Sequence, residues 1–225
     1  MQTSSSILLV HTQGVRYLTA NSLLDAIKLF RQCLCELRQQ ADFGSIESSL
    51  LPFDDSVRLN TVPVLETCPV ELAMTGASLF REAYLVTSAK LEGCYPKLLS
   101  PKSIDLLTMS TIYNLALAHQ LRAMTCPEKA SLNYKRAVTL YRSTFGHAEL
   151  AVAQRDDSLG SILIAAGCNL CCLFAENLEF ASMEACMEWT SQLATQQTCM
   201  HQSTRVLVYN LFFWECMPSQ PAAAA

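Results

Sequence analysis

Near the start of the chain, small and aromatic residues recur at fixed intervals: Gly14, Tyr17, Ala26, Phe30 and Cys33. A small residue stands three before an aromatic one. After eight intervening residues an alanine stands four before a phenylalanine, with another small residue three further on. Such spacing suits two antiparallel helices that touch at their small residues and dock neighbours through their aromatic ones. The first helix is expected over 6–19, with Ile7, Val10, Gly14 and Tyr17 facing inward. The second, 22–40, carries Leu23, Ala26, Ile27, Phe30, Cys33, Leu34 and Leu37 on one stripe, with Asp25, Lys28, Arg31, Gln32 and Arg38 around the rest. Ser22, followed three residues later by Asp25, reads as its capping box.

Two more helix pairs follow. Ser100 before Pro101 opens a helix to about residue 123, since proline is pre-set for the first helical position. Thr125-Cys126-Pro127-Glu128 reads as a second capping box, opening a helix over 127–145 with the stripe Ala130, Tyr134, Ala137, Val138, Tyr141 and Phe145. Asp156, Asp157 or Ser158 caps a helix to about residue 177, and a last one over 179–196 stripes Phe180, Met183, Cys186, Met187, Thr190 and Leu193. Between the first and second pairs, residues 41–100 form a long insertion. Its first part loses helical period and carries Gly44, Pro52, Pro63 and Pro69, and Thr61–Glu66 reads as a short strand. Residues 71–90 fit a helix through Leu72, Gly76, Leu79, Phe80 and Ala83, whereas Ala83–Thr87 also fits a strand. The β-forming run Arg205–Trp214 is a candidate partner for that strand, and 218–225 reads as a frayed tail.

The first pair resembles a tetratricopeptide (TPR) hairpin, with Val10 where that family favours tryptophan and Gly14, Tyr17, Ala26, Phe30 and Cys33 on pattern. The second pair matches through Leu115, Ala116 and His119, then Ala130, Tyr134 and Ala137, with about two extra residues in its turn. In the third, Leu170, Cys171 and Phe174 match, while Met183 replaces the alanine. Phrases such as NLALAHQLRA (114–123) and YKRAVTLY (134–141) are similar to TPR-like proteins of microalgae, diatoms among them.

The resemblance implies a mainly α fold of stacked antiparallel hairpins, at 6–40, 101–145 and 157–197, in one domain over 1–217. The array is irregular, because its pattern position falls at 14, 116 and 171, and the insertion leaves room for a small β ribbon. It also implies an interaction or scaffold protein that grips another protein along its first helices, where His11, Tyr113, Leu117 and Gln120 would line a groove. The family's carboxylate clamp, carried over, would fall on His11, Val15, Asn114, Ala165 and Asn169. Only Asn114 fits, and no cation meets a carboxylate there.

Composition narrows the function. At 225 residues with 51% hydrophobic and 16% charged residues, the chain can bury a large core, and its net charge of −4 with scattered lysines and arginines gives no stripe for a phosphate backbone. Nucleic acid is therefore not an expected partner; an unidentified protein or a second copy of the chain is. The opening MQTSSSILLV has no basic region and only four consecutive apolar residues, unlike a secretory signal, so an intracellular, cytoplasmic protein is expected. Its Ser, Thr and Arg16 resemble a transit peptide only weakly. Residues 158–175 run 18 positions without a charge. Diluting serines, an asparagine and glycines favour a buried core helix over a membrane span.

Eleven cysteines make an odd count, and several share one helix, so free thiols acting as small hydrophobes are expected rather than disulfides. Cys168, Cys171 and Cys172, with Cys199 and His201, are the most tempting metal constellation. Structural zinc sites, however, place their CxxC on a tight turn and not inside an apolar helix. Neither the acid pairs Asp54-Asp55 and Asp156-Asp157 nor His11, His119 and His147 sit in a catalytic motif. No catalytic residue, metal or cofactor is expected.

Overall fold

The computed structural model describes residues 4–47, 63–70, 82–88, 101–146 and 157–196. The fold is mainly α, and the chain divides into two compact units. In the first, α1 (Ser4–Thr19) and α2 (Leu23–Glu47) precede a two-stranded ribbon, β1 (Pro63–Pro69) and β2 (Glu82–Ser88). Helices α3 (Pro101–Thr125) and α4 (Ala130–Phe145) follow, with a 3-10 turn, Pro127–Lys129, between them. The second unit contains α5 (Asp157–Glu176) and α6 (Phe180–Gln196).

Both tight helical turns stop their first helix in the same way. After α1, Asn21 takes φ 58°, the amide of Asn21 reaches the carbonyl of Leu18, and the amide of Ser22 reaches that of Tyr17. After α5, Leu178 takes φ 59°, with Leu178 bonded to Ala175 and Glu179 to Phe174. This closure satisfies the last carbonyls and reverses the chain in three residues. Asparagine tolerates the left-handed conformation; leucine does so at a cost.

The capping box at Ser22 is modified: its hydroxyl donates to the Asp25 carboxylate at 2.9 Å. The expected box at Thr125 does not form. Thr125 donates back to the carbonyl of Leu121, Cys126 makes no side-chain cap, and the segment expected to open α4 is the 3-10 turn instead.

In the first unit α1 packs on α2, α2 on α3 and α3 on α4, while the ribbon lies against α1 and α3. Gly14 sits directly under the Phe30 ring, where a Cβ would fall 2.7 Å from Cε1. Ala26, Phe30, Cys33, Ala116 and Ala137 are fully buried, as packing positions should be; Leu115 is nearly so, and Tyr17, Ala130 and Tyr134 are half-buried. Helix α3 is buried almost all round from Leu106 to Leu121, consistent with its uncharged sequence.

The ribbon is antiparallel, with Thr67 opposite Tyr84 and Leu65 opposite Val86. The Tyr84 amide and carbonyl point away from β1, because both bond to Asn114. By the alternation of an antiparallel ladder, Pro63, Leu65, Thr67 and Pro69 then turn their backbone groups toward the outer edge of β1. Both prolines therefore stand where a missing N–H breaks no rung. The expected pairing of 83–87 with 205–214 is not what β2 does. One edge of β2 is taken by β1 and the other by side chains, while 205–214 itself lies outside the described residues.

In the second unit α5 is buried over Leu159–Cys171 and at Leu173 and Phe174. It is long and apolar enough to cross a membrane by length and composition, and most of it is buried inside the protein. At Gly167 it lies so near α6 that a Cβ would collide with the Thr190 side chain. Leu170, Cys171 and Phe174 are buried, and the Cys171 thiol meets α6 3.9 Å from the Met183 carbonyl, so Gly167 is a further small contact position beside it.

Candidate functional site

The face of α1 and α3 was expected to receive a partner; it is occupied by the chain's own strand β2. Asn114 on α3 treats Tyr84 as an adjacent strand would. Its Oδ1 accepts the Tyr84 amide at 2.9 Å and its Nδ2 donates to the Tyr84 carbonyl at 2.7 Å. His11 on α1 completes the edge. Thr111 already donates its hydroxyl to the Leu107 carbonyl at 2.6 Å, so its lone pair faces His11 Nδ1, 3.0 Å away, and Nδ1 carries the proton. Nε2 then accepts the Val86 amide at 3.5 Å. The Tyr84 carbonyl lies 3.2 Å from the same Nε2 and would be a good partner only for a protonated ring. Burial wins: it lowers the His11 pKa from 6.5 to about 4, against the smaller opposing pull of that carbonyl.

Beneath the strand an aromatic ladder runs into the core. Tyr84 meets Tyr113 edge-on with centroids 5.0 Å apart, and Tyr113 meets Tyr141 at 5.8 Å. The Tyr141 hydroxyl donates to Gln120 Oε1 at 2.9 Å. Gln120 Nε2 is buried and has no hydrogen-bond partner among the described residues. His11, Tyr113, Leu117 and Gln120, the four expected groove residues, are thus all 0% exposed. Three of them support β2 or the ladder below it, and Leu117 is core. As placed, none offers surface to a partner.

A second polar group lies further along α3. His119, 1% exposed, is 2.9 Å from Asn133 Oδ1 through Nδ1, and Asn133 in turn donates to the Lys129 carbonyl. The Asn133 amide nitrogen is therefore committed elsewhere, so Nδ1–H donates to Oδ1 and Nε2 is unprotonated in the neutral ring. Burial lowers the His119 pKa, the Asn133 bond opposes this, and Arg31, Arg136 and Arg122 add to the lowering.

The cysteines behave as core. Burial pushes the Cys33 thiol up to about 12 and the Cys168 thiol well above its ordinary value. Cys171 is also raised, first by its hydrogen bond with Cys186 and then by burial. Thiols held this firmly protonated are poor nucleophiles and poor metal ligands. Among the described residues no group of three or more His, Cys, Asp or Glu is placed to hold a metal ion. Cys199 and His201 lie outside the described residues.

Sequence reasoning missed Tyr84, Thr111 and Asn133. The strand pattern AYLVT was the only signal for the first. No family model, no curated protein and no solved structure matches the chain.

Proposed function

We propose that this chain is a non-catalytic, TPR-like binding or scaffold module that engages another protein through the outer surfaces of its helical hairpins. The observation that carries this reading is how the chemically capable groups are used. His11 is tied to a strand edge, His119 to Asn133, and the buried thiols are kept protonated, while large apolar side chains stand in solvent. Leu178 at 73% and Phe180 at 55% exposure sit together at the α5–α6 turn, and Leu9 and Leu24 are open on the first hairpin. Exposed apolar side chains grouped at a turn suit protein contact better than solvent. Because β2 fills the face of the first helices, a partner meets the module elsewhere.

The test is affinity capture from native extract with the full chain and with a Leu178→Gly, Phe180→Ala variant, each checked for folding and for mass by light scattering. A reproducible partner lost from the folded variant supports the reading, and self-association lost in the same way identifies the partner as a second copy. Equal recovery from both proteins, or recovery of a monomer alone, overturns the assigned surface.

A further inference from the structure

The hairpin of α5 and α6 brings cysteines from two helices face to face. Gly167 and Thr190 mark the register, since a Cβ on the glycine would collide with the Thr190 side chain. The two helices run antiparallel about a short turn, so one helical turn nearer that turn Cys171 on α5 stands opposite Cys186 on α6. The thiols cross the interface in both directions. Cys186 donates to the Gly167 carbonyl at 3.5 Å, and Gly167 lies one turn before Cys171. Cys171 donates to the Met183 carbonyl at 3.9 Å, and Met183 lies one turn before Cys186. Each sulfur thus rests against the turn of backbone that carries the other. Both thiols are free and buried, and a hydrogen bond joins them.

We propose that Cys171 and Cys186 are a site of reversible oxidation by peroxide, closing a disulfide that ties α5 to α6. Helices close enough to need a glycine at their contact bring facing Cβ atoms toward the separation of about 4 Å that a disulfide takes. Cys186 is the more open of the two, at 8% exposure against 3%, and is the sulfur that peroxide reaches first. Its thiolate attacks one peroxide oxygen; an S–O bond forms, the O–O bond breaks, and the departing hydroxide takes the thiol proton to become water. The Cys171 thiolate then attacks the resulting sulfenic sulfur. The S–S bond forms, the S–O bond breaks, and the second hydroxide leaves as water with the second thiol proton. Two thiols are oxidised by two electrons in all, and one peroxide is reduced to two waters. Burial disfavours the thiolate and so slows the first step, whereas the finished disulfide carries no charge and suits an apolar interface. The site rests on the hairpin itself and not on the binding of another protein.

The test is mild oxidation of the reduced full chain with hydrogen peroxide, followed by thiol blocking, cleavage after glutamate and mass mapping. Glu176, Glu179 and Glu184 lie between the two cysteines, so cleavage leaves them on separate peptides unless a disulfide joins them. The expected product has lost two of the eleven thiols and is linked from Cys171 to Cys186. It should melt at a higher temperature than the reduced chain, and dithiothreitol should reverse both changes. Cys171→Ser and Cys186→Ser should each reduce that link to background, while Cys126→Ser leaves its yield unchanged; circular dichroism checks that each variant folds. Because the pairing is mapped in the unsubstituted chain, a variant that fails to fold does not remove the test. The proposal is overturned if peroxide leaves both thiols free, or if the main link joins Cys186 to Cys168 or Cys172. It is equally overturned if oxidation in urea gives the same pair in the same yield, or if the link lowers the melting temperature.

Discussion

Replacing Asn114 with alanine removes its two hydrogen bonds to Tyr84 on the inner edge of β2, at 2.9 Å to the amide and 2.7 Å to the carbonyl. Tyr84 and Asn114 are both fully buried, so water does not readily take over either role. Each backbone group left unpaired costs about 1–3 kcal/mol, which puts the sum at about 2–6 kcal/mol. His11 offers limited relief, because its Nε2 lies 3.2 Å from the carbonyl but carries no proton to give. The expected loss of at least about 2 kcal/mol is a large share of the stability of an ordinary domain. Urea denaturation measures the loss, and native-state hydrogen exchange locates it: the Tyr84 amide, protected in the parent, should exchange much faster in the variant. Asn114→Asp is a sharper companion. It keeps an acceptor for the amide but sets a carboxylate against the carbonyl, so its deficit relative to the parent should narrow as acid protonates it. A loss below about 1 kcal/mol with unchanged Tyr84 protection would refute the idea that the amide holds the strand.

Acid should destabilise the fold before most carboxylates titrate. The folded pKa of His11, about 4 against 6.5 unfolded, means that the unfolded chain binds more protons between these values, so stability falls as pH drops through them. From about pH 7 to pH 5 this amounts to about 2 kcal/mol, and His119, lowered as well, acts with the same sign; urea midpoints that are flat over this window would contradict it. Gly167→Ala should destabilise by about 1–2 kcal/mol in denaturation, the clash with Thr190 outweighing the better helix propensity of alanine. The same change in a Thr190→Ala background should be neutral or stabilising. Leu178→Gly should stabilise by about 1 kcal/mol, seen as a raised melting temperature, by relieving a left-handed leucine that is mostly in solvent. Thiol labelling of native protein should modify the exposed Cys35 quickly and the buried Cys33, Cys168, Cys171 and Cys186 only as the chain unfolds.

Helix positions were legible because each depends on neighbours in sequence. The stripe from Leu23 to Leu37 marks α2, Pro101 marks the start of α3, and the uncharged run around Leu163 marks a helix buried on all sides. The strands were half legible: AYLVT has β-forming residues, but its partner could not be read from them; 205–214 was only a candidate, and the strand that pairs with it is Pro63–Pro69. Asn114 explains why. The residue that secures β2 lies 30 positions away on a helix, and nothing in an asparagine on an apolar helix reveals that it completes a strand edge. The groove residues were misjudged for the same reason. His11 and Tyr113 do lie on the face of the first helices, but a segment from the insertion reaches that face first.

The prolines at both ends of β1 have a consequence for the protein in company. A strand whose outer side is unpaired invites another chain to continue the sheet, and repeated addition of that kind leads to fibres. Among the described residues no strand continues the sheet beyond β1, whose outward ladder positions are Pro63, Leu65, Thr67 and Pro69, so only the middle two offer a donor to an incoming strand. An arriving segment would find acceptors but no donor at both ends of the row, too few rungs to hold it. Restoring donors with Pro63→Thr and Pro69→Thr would lengthen that row from two N–H groups to four, and with it the tendency of the ribbon to recruit its own copies.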